Sequence, residues 1–347
     1  MTSQVKPRQQ KDDADVAHVG VVAIGRNEGE RLRRCLRSLP AGLAEVVYVD
    51  SGSTDDSVAF ARAQGASVVE LDMSVPFTAA RARNAGFERL MQLQKTLAFV
   101  QFVDGDCALA PGWLEAGLSA LQADPALVAV WGRRRELARD ASVYNRLCDL
   151  EWGQLPPGET DVFGGDVLVR TEAVRAVHGY NPNIIAGEDP EFAVRLRKAG
   201  GKVRRIDAEM TLHDAAMYRL EQWFRRAMRA GYAYAQVSAI HGDSQERFWK
   251  KERRRALTWG LAVPLAVPLL ALPTFGTSSL LLSAYPLRVL RIAQYLAARG
   301  WEPADAKLWA ANCVAASVPE AVGVVKYSLD RLRKKQARII EYKGPAK

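Results

Sequence analysis

The chain has 347 residues, of which 48% are hydrophobic and 25% charged, so a wholly disordered protein is excluded and one or two globular domains are expected. Its four cysteines are scattered, which excludes a zinc-finger pattern or a dense disulfide framework and indicates reduced thiols. The net charge of +9 favours an anionic partner: nucleic acid, a membrane surface or a phosphorylated substrate.

Residues 1–17 are polar and lack apolar periodicity, which predicts a flexible tail. They contain no apolar core of the kind a signal peptide needs, so the N-terminal half is expected in the cytosol. From residue 18 onward, short β-branched runs alternate with helical patterns. The predicted strands are residues 19–24, 46–49, 67–71, 97–103, 127–131 and 202–206. The predicted helices are residues 30–39, 55–64, 78–94, 111–123, 190–199 and 220–237.

Two local details accompany these elements. Ser53, with Asp56 three residues later, predicts an N-cap for the second helix. Residues 139–161 are polar, contain Pro156-Pro157-Gly158 and are expected to be irregular.

Strands separated by helices predict an α/β fold with a mostly parallel sheet covered by helices. Ligands of such sheets bind beyond the carboxyl ends of the strands. Three polar clusters follow predicted strand ends and should converge on one crevice: Arg26-Asn27-Glu28, Asp50-Ser51 and Asp104-Gly105-Asp106.

The most apolar part of the chain is residues 256–287, which contain no charge. As helix they would extend about 45 Å, against about 30 Å for a bilayer core. Four prolines make one straight span doubtful and favour a kinked span, a re-entrant hairpin or two helices in the membrane interface. A soluble, proline-broken helical subdomain is the alternative. The prolines are Pro264, Pro268, Pro273 and Pro286.

The flanking segments favour a membrane surface. A basic run, residues 247–255, directly precedes the apolar stretch, which suits an anionic membrane better than a DNA groove. Basic segments next to apolar stretches stay on the cytosolic side. A further apolar stretch, residues 308–325, contains Asn312 and Glu320 and is expected to be interfacial.

Two acidic motifs carry candidate chemistry. Asp104 and Asp106 flank Gly105, and two carboxylates at a strand end can hold Mg²⁺ or Mn²⁺, although the same triplet often forms only a solvated turn. Glu188 and Asp189 open a predicted helix, where the helix dipole should stabilise Asp189 as the anion that a general base requires. Helix capping is the simpler reading of Asp189.

At this point the sequence resembles the family 2, inverting glycosyltransferases, which have a GT-A-type, Rossmann-like fold. The resemblance covers residues 19–231 and rests on the order and spacing of several blocks rather than on any one of them. These blocks are VVAIGRNEGERLRRCLRSL, VVYVDSGSTDDS, ARARNAG, FVDGDCALAPGWLE, FGGDVLVRTEAVRAVHGY and GEDPEFAVRLRKAG.

The resemblance implies a role for each matching residue. Asp189 matches the catalytic base, and Glu188 supports the acceptor or sugar side. Asp106 matches the metal ligand, and His213 is similar to an extra metal ligand of some relatives, unless it is an ordinary polar residue. The implied donor contacts are Asn27, Glu28, Asp50, Ser51, Asp104 near the ribose, and Arg83 near the diphosphate with Arg81 as its companion.

The chain departs from the family pattern at two places. Many members carry paired aspartates where this chain has Asp50-Ser51, which leaves the selectivity for the base open. Processive relatives carry Gln-x-x-Arg-Trp, whereas here Gln222 is followed by Arg225 and Arg226. This segment lines the acceptor path or is simply an amphipathic helix with a cationic face.

The resemblance implies a metal-dependent, inverting glycosyltransferase of polysaccharide biosynthesis. Its partners would be a UDP-, GDP- or dTDP-sugar, a glycan or lipid-linked acceptor, and the cytoplasmic face of the cell membrane, but not nucleic acid. The expected domains are a catalytic domain at residues 18–245 and a helical membrane-associated region at residues 246–347.

The alternative is a non-catalytic membrane protein that keeps the fold. A dinucleotide-dependent oxidoreductase is disfavoured because no Gly-x-Gly-x-x-Gly follows the first strand.

Overall fold

The computed structural model describes residues 16–244, 247–335 and 339–342. Most of the predicted tail and the predicted domain boundary at residues 245 and 246 therefore lie outside the described residues. The strands are β1 (Val19–Gly25), β2 (Glu45–Asp50), β3 (Ser67–Glu70), β4 (Phe99–Asp104), β5 (Cys107–Leu109), β6 (Leu127–Glu136), β7 (Gly158–Glu159), β8 (Val167–Arg170) and β9 (Lys202–His213).

The helices lie between and after these strands. The α-helices are α1 (Glu30–Arg37), α2 (Ser57–Ala63), α3 (Ala79–Leu93), α4 (Trp113–Ala123), α5 (Val143–Trp152), α6 (Thr171–Ala176), α7 (Glu188–Lys198), α8 (Leu220–His241), α9 (Lys250–Leu257), α10 (Val263–Ala271), α11 (Ala284–Ala297), α12 (Pro303–Ala315) and α13 (Ser317–Leu332). A π-helical turn spans Thr258–Ala262, and 3₁₀ turns span Arg139–Ala141 and Thr277–Ser283.

Within the described ranges the nine strands form one mixed sheet in the order β3-β2-β1-β4-β8-β6-β9-β5, and β7 pairs with β9. The strands β1 to β4, β6 and β9 run in one direction, and β5, β7 and β8 run in the other. Most strands are therefore parallel, as predicted, but β8 inserts antiparallel between β4 and β6. The continuous apolar runs of β1, β2 and β4 are buried because helices cover both faces of this part of the sheet.

The strand register brings three polar clusters to one edge. Gly25 pairs with Asp50, and Ile24 pairs with Asp104, so β1, β2 and β4 end side by side. The loops that follow these strands therefore start at the same edge of the sheet, as predicted from their position after strand ends.

Two local predictions were wrong. Residues 139–161 contain a ten-residue helix, α5, instead of an irregular segment. Its Asp149 is buried and accepts a hydrogen bond from the N–H of Glu136, so a polar side chain occupies the position where an apolar one would have revealed the helix. The Ser53 hydroxyl accepts from the N–H of Asn27 and caps no helix.

The C-terminal helices pack on the α/β part of the protein through α8. A Cβ at Gly231 would lie 1.9 Å from the carbonyl oxygen of Glu320, and one at Gly323 would lie 2.0 Å from that of Met228. The backbones of helices α8 and α13 therefore lie in direct contact with each other. Among the described residues one helical stretch, Pro303–Leu332, is long and apolar enough to cross a membrane, and half of its most apolar window is buried in the protein.

Candidate active site

The strand ends open into a cavity of about 620 Å³. Nine of the eleven predicted site residues line it, although they come from six separate parts of the chain. The exceptions are Asp50 and Arg81. The nine are Asn27, Glu28, Ser51, Arg83, Asp104, Asp106, Glu188, Asp189 and His213.

Arg83 links three of the acidic residues. Its guanidinium lies 2.8 Å from an Asp104 oxygen, 3.0 Å from a Glu188 oxygen and 3.2 Å from an Asp189 oxygen. The arginine side chain is fully buried on α3, over the ring of Tyr180. Although burial alone would lower it, Asp189 and Asp104 raise the pKa of Arg83 well above its usual value. A buried cation thus connects the end of β4 with the start of α7.

Asp189 is buried and is held by the backbone of another loop. Its Oδ2 accepts a hydrogen bond of 2.8 Å from the N–H of Gly165, and it makes no side-chain cap to its own helix. Burial raises the pKa of Asp189 to about 7; Glu188 and Asp104 add to this rise, and Arg83 and the Gly165 N–H oppose it. The predicted stabilisation of the anion by the helix dipole is outweighed, because desolvation of a buried carboxylate is the larger effect.

Asp106 and His213 lie beside each other in the cavity. His213 is the last residue of β9, and its Nε2 lies 3.6 Å from Asp106 Oδ1. Its Nδ1 lies 3.3 Å from Glu136, and its ring packs edge-on against Trp152 at 4.6 Å between centroids. A carboxylate behind a histidine is the arrangement that orients a metal-binding imidazole.

These residues fit a divalent cation. Donor atoms of Asp106, Cys107 and His213 lie within 4.8 Å of one another. Oxygen and imidazole ligands suit Mn²⁺, and Mg²⁺ prefers oxygen and usually keeps water and substrate phosphates. A second cluster, Asp104, Cys107 and Asp166, is less suitable because both Asp166 oxygens already accept hydrogen bonds within the protein.

Four residues that the sequence did not single out complete the site. Asp166 accepts from the N–H of Asp104 at 2.9 Å, and Arg134 lies 2.8 Å from Asp166 and 3.5 Å from Asp104. Glu136 stands behind His213, as described above. Gly165 has a φ of 75°, and a Cβ there would lie 1.9 Å from the Arg134 guanidinium. The block FGGD contained the signal for Asp166, but only the antiparallel strand β8 brings it to Asp104.

The loops after β1 and β2 hold each other. Asn27 has a φ of 54°, and its side chain accepts from the N–H of Thr54 at 2.7 Å. The carboxylate of Asp50 accepts from the N–H groups of Gly52 and Ser53 and from the Tyr48 hydroxyl. These contacts shape the edge of the cavity, and they engage Asp50 with its own loop.

Two further residues that were predicted to contact the donor or the acceptor instead bond to the protein itself. Arg81 donates to the carbonyl oxygens of Asp72, Val75 and Pro76 and does not line the cavity. Gln222 caps α8 by accepting from the N–H groups of Tyr218 and Arg219. One helical turn later, Arg226 lines the cavity and is paired with Glu151 at 2.6 Å.

The side of the cavity next to the C-terminal region is aromatic and cationic. It is formed by α8, the residue before α9 and residues 339–342. Arg229 lies over the Tyr342 ring at 6.0 Å, and Glu341 pairs with Arg26 at 2.9 Å. The residues of this wall are Arg226, Arg229, Tyr234, Trp249, Ile339, Glu341 and Tyr342.

Comparisons with known protein families agree with this architecture. Residues 21–177 match the model of Glycosyl transferase family 2, and residues 126–302 match that of Glycosyl transferase family group 2. A pre-mycofactocin glycosyltransferase of Mycobacterium tuberculosis is 30% identical over 260 residues, which cover 67% of this chain and 52% of the relative. The chain thus spans about half the length of that relative.

Two other proteins are similar to the chain. Glycosyltransferase AglE of Haloferax volcanii is 24% identical over 242 residues, which cover 66% of this chain and 77% of AglE. The solved structure of a mannosyltransferase from Pyrobaculum calidifontis, in complex with GDP-Man and Mn²⁺, covers 89% of this chain and 87% of its own, at 21% identity and a TM-score of 0.56. This likeness confirms the predicted fold class.

Proposed function

This chain belongs to the family 2 glycosyltransferases, and from that premise we propose that it transfers a sugar from a nucleotide-diphospho-sugar to an acceptor hydroxyl with inversion. The observation that carries the proposal is the shared cavity. Asp106 with His213 lines one part of it, and Asp189 with Glu188 lines another, so that a cation-binding pair and a candidate base face the same space.

Asp189 is the proposed general base. A base is most effective when its pKa lies near the working pH, and the pKa of Asp189 is raised to about 7. Its carboxylate takes the proton of the acceptor hydroxyl as the acceptor oxygen bonds to the anomeric carbon. The bond between that carbon and the diphosphate oxygen breaks in the same displacement, so the anomeric configuration inverts.

Asp106 and His213 are the proposed ligands of Mn²⁺ or Mg²⁺. A divalent cation bound there would supply Lewis-acid stabilisation of the charge that develops on the departing diphosphate. The geometry that supports this role is the close approach of Asp106 and His213, with Glu136 behind the imidazole. Arg83 and Arg134 add positive charge at the cavity and orient Asp104.

We further propose that Asn27, Glu28, Ser51, Asp104 and Arg83 contact the donor. A lipid-linked or cell-surface glycan is the proposed acceptor, in polysaccharide biosynthesis at the cytoplasmic face of the cell membrane. This part of the proposal is supported by the basic run, residues 247–255, directly before the apolar stretch. The aromatic and cationic wall of the cavity lies next to this region.

A non-catalytic protein that keeps the fold is the second candidate. It would have no need of a buried carboxylate with a raised pKa beside a cation-binding pair, and strongly shifted pKa values of this kind cluster at functional sites. The arrangement of Asp106, Glu188 and Asp189 therefore favours the enzyme.

A donor screen tests the proposal. The full chain is incubated with Mn²⁺ or Mg²⁺ and a set of UDP-, GDP- and dTDP-sugars, and release of nucleoside diphosphate is measured. We expect metal-dependent release from one donor class, which is lost in Asp106→Asn. Absence of release and of metal-dependent nucleotide binding for every donor would favour the non-catalytic candidate.

A further inference from the structure

The charge-free stretch of the chain folds as a helical hairpin. Helix α9 continues through the π-helical turn into α10, the chain reverses at Gly276, and the turn Thr277–Ser283 leads back into α11. The Ser278 hydroxyl donates to the carbonyl oxygen of Val267 at 2.8 Å and joins the two arms. We call residues 258–287 the apolar hairpin.

The far end of the apolar hairpin is covered by nothing in the described part of the protein. Leu272 is 89% exposed and Phe275 is 96% exposed. Leu269 and Leu280 beside them are also largely exposed. A contiguous apolar patch of this kind is unfavourable in water and marks a surface that a membrane or another protein covers.

The side-chain hydroxyl groups of this end are hydrogen-bonded within the hairpin. Every Ser and Thr side chain between residues 274 and 283 donates a hydrogen bond to a carbonyl oxygen of the hairpin itself. In hydrocarbon, where no water is present, polar groups must be paired in this way. The donors are Thr274, Thr277, Ser278, Ser279 and Ser283.

The base of the hairpin carries an aromatic and cationic collar. The Tyr285 hydroxyl donates to the carbonyl oxygen of Trp259, and the guanidinium of Arg288 lies 4.0 Å from the centroid of the Trp259 ring. Tryptophan, tyrosine and arginine are the residues that occupy the interface between lipid headgroups and hydrocarbon. Above this collar, residues 260–271 extend roughly 18 Å, against about 15 Å for half of a bilayer core.

Charges near the hairpin favour an anionic lipid surface over a second copy of the chain. Lys251 and Arg254 precede the hairpin, Arg291 and Arg299 follow it, and all four are exposed. Such cations attract anionic headgroups, whereas two copies would bring like charges together.

The other apolar segment is a poorer membrane anchor. Pro303–Leu332 is half buried, and its Glu320 pairs with Arg255 inside the protein at 2.9 Å. Inserting this helix into lipid would break its contact with α8. By length and composition Pro303–Leu332 is the better candidate for a membrane segment, but by the exposure of its apolar side chains the apolar hairpin is the better one.

We propose that the apolar hairpin inserts into one leaflet of an anionic bilayer, with Leu272 and Phe275 deepest and Trp259 and Arg288 at the headgroups, and does not cross. The proposal rests on the membrane location given under the proposed function. It is independent of the reaction, because lipid binding requires neither donor nor metal.

Vesicle flotation tests the insertion. The full chain is mixed, without donor or metal, with phosphatidylcholine vesicles that contain about 30% phosphatidylglycerol or none. We expect the protein to float with the anionic vesicles and the double variant Leu272→Ser/Phe275→Ser to bind at least about tenfold more weakly. The matched control is Leu332→Ser, which replaces a leucine that is 80% exposed at the end of Pro303–Leu332 and should leave binding unchanged.

Three flotation results would overturn the proposal: no flotation of the wild-type chain, equal flotation of the double variant, or loss of flotation only in Leu332→Ser. Light scattering identifies the competing occupant. A wild-type dimer that the double variant dissociates, without vesicle binding, would assign the hairpin to contact between copies. Failure of the donor screen would leave the flotation result unaffected.

Labelling of Pro273→Cys tests whether the hairpin crosses. The native cysteines are buried or half buried, so the introduced thiol at the exposed turn should dominate the reaction with a membrane-impermeant maleimide in detergent. When the protein is bound to vesicles, we expect the introduced thiol to be protected both from reagent added outside the vesicles and from reagent enclosed within them. Labelling by the enclosed reagent would mean that the hairpin crosses the bilayer.

Discussion

The guanidinium of Arg83 lies 3.2 Å from the carboxylate of Asp189, although the two residues are 106 positions apart in the chain. The same guanidinium contacts Asp104 and Glu188. The protonation of Asp189 is therefore set by a balance: burial, Glu188 and Asp104 raise its pKa, and Arg83 lowers it. Changing one member of this cluster should move the pKa in a direction that the geometry specifies.

Glu188→Gln should shift the pH dependence of transfer. If Asp189 must be ionised to act as a base, kcat/KM rises as the pH increases through about 7. The Glu188 carboxylate raises the pKa of Asp189, so its removal lowers that pKa and moves the rising limb to lower pH. The measurement is the pH profile of kcat/KM for both proteins. A limb that stays in place or moves to higher pH would contradict the assignment.

The matched control for that profile is Glu341→Gln. Glu341 also lines the cavity, but it pairs with Arg26 and is not among the main causes of the pKa shift of Asp189. Its removal should therefore leave the position of the limb unchanged.

Glu136→Gln should weaken metal binding. The Glu136 carboxylate lies 3.3 Å from Nδ1 of His213 and orients the imidazole, and removal of such a partner typically costs about 10- to 100-fold in metal affinity. Titration of Mn²⁺ in the presence of nucleoside diphosphate, followed by electron paramagnetic resonance, measures the affinity. Glu209→Gln, at an exposed acid on the neighbouring strand β9, is the control. Equal affinities in all three proteins would remove His213 from the proposed ligands.

Gly231→Ala should destabilise the protein by about 1–3 kcal/mol, the usual cost of overpacking. The added Cβ would lie 1.9 Å from the Glu320 carbonyl oxygen, and a backbone atom cannot move aside as a flexible side chain can. Gly153→Ala is the matched control, since its Cβ would meet the nearest atom at 3.5 Å. Urea unfolding measures both. If the two variants have the same free energy of unfolding, α8 and α13 do not pack as closely as described.

The buried strands and long helices were predictable from the sequence because their apolar residues recur with a regular period. Strands β1, β2 and β4 are continuous apolar runs, and α3 begins after Thr78, whose side chain caps it. Strands β5 and β8, which are three and four residues long, were not predicted. Helix α5 was missed because its buried Asp149 interrupts the apolar face that packs on β6.

The site was predictable where it depends on strand ends and not where it depends on strand order. Asp104 and Asp106 follow a strand whose end could be located, so their position at the edge of the sheet was expected. Asp166 and Arg134 reach Asp104 only because β8 lies antiparallel between β4 and β6, a neighbour relation without a local sequence signal. The raised pKa of Asp189 likewise follows from the burial of its side chain, which the amino-acid sequence alone does not reveal.

The central claim is that Asp189 deprotonates the acceptor in a cavity that Asp106 shares. Transfer and donor binding of Asp189→Asn, compared with the wild-type chain at saturating donor and metal, test it most directly. Asparagine keeps the shape of the side chain but cannot take a proton, so we expect donor affinity to be retained and transfer to fall by at least about 100-fold. Transfer at nearly the wild-type rate in Asp189→Asn would contradict the claim.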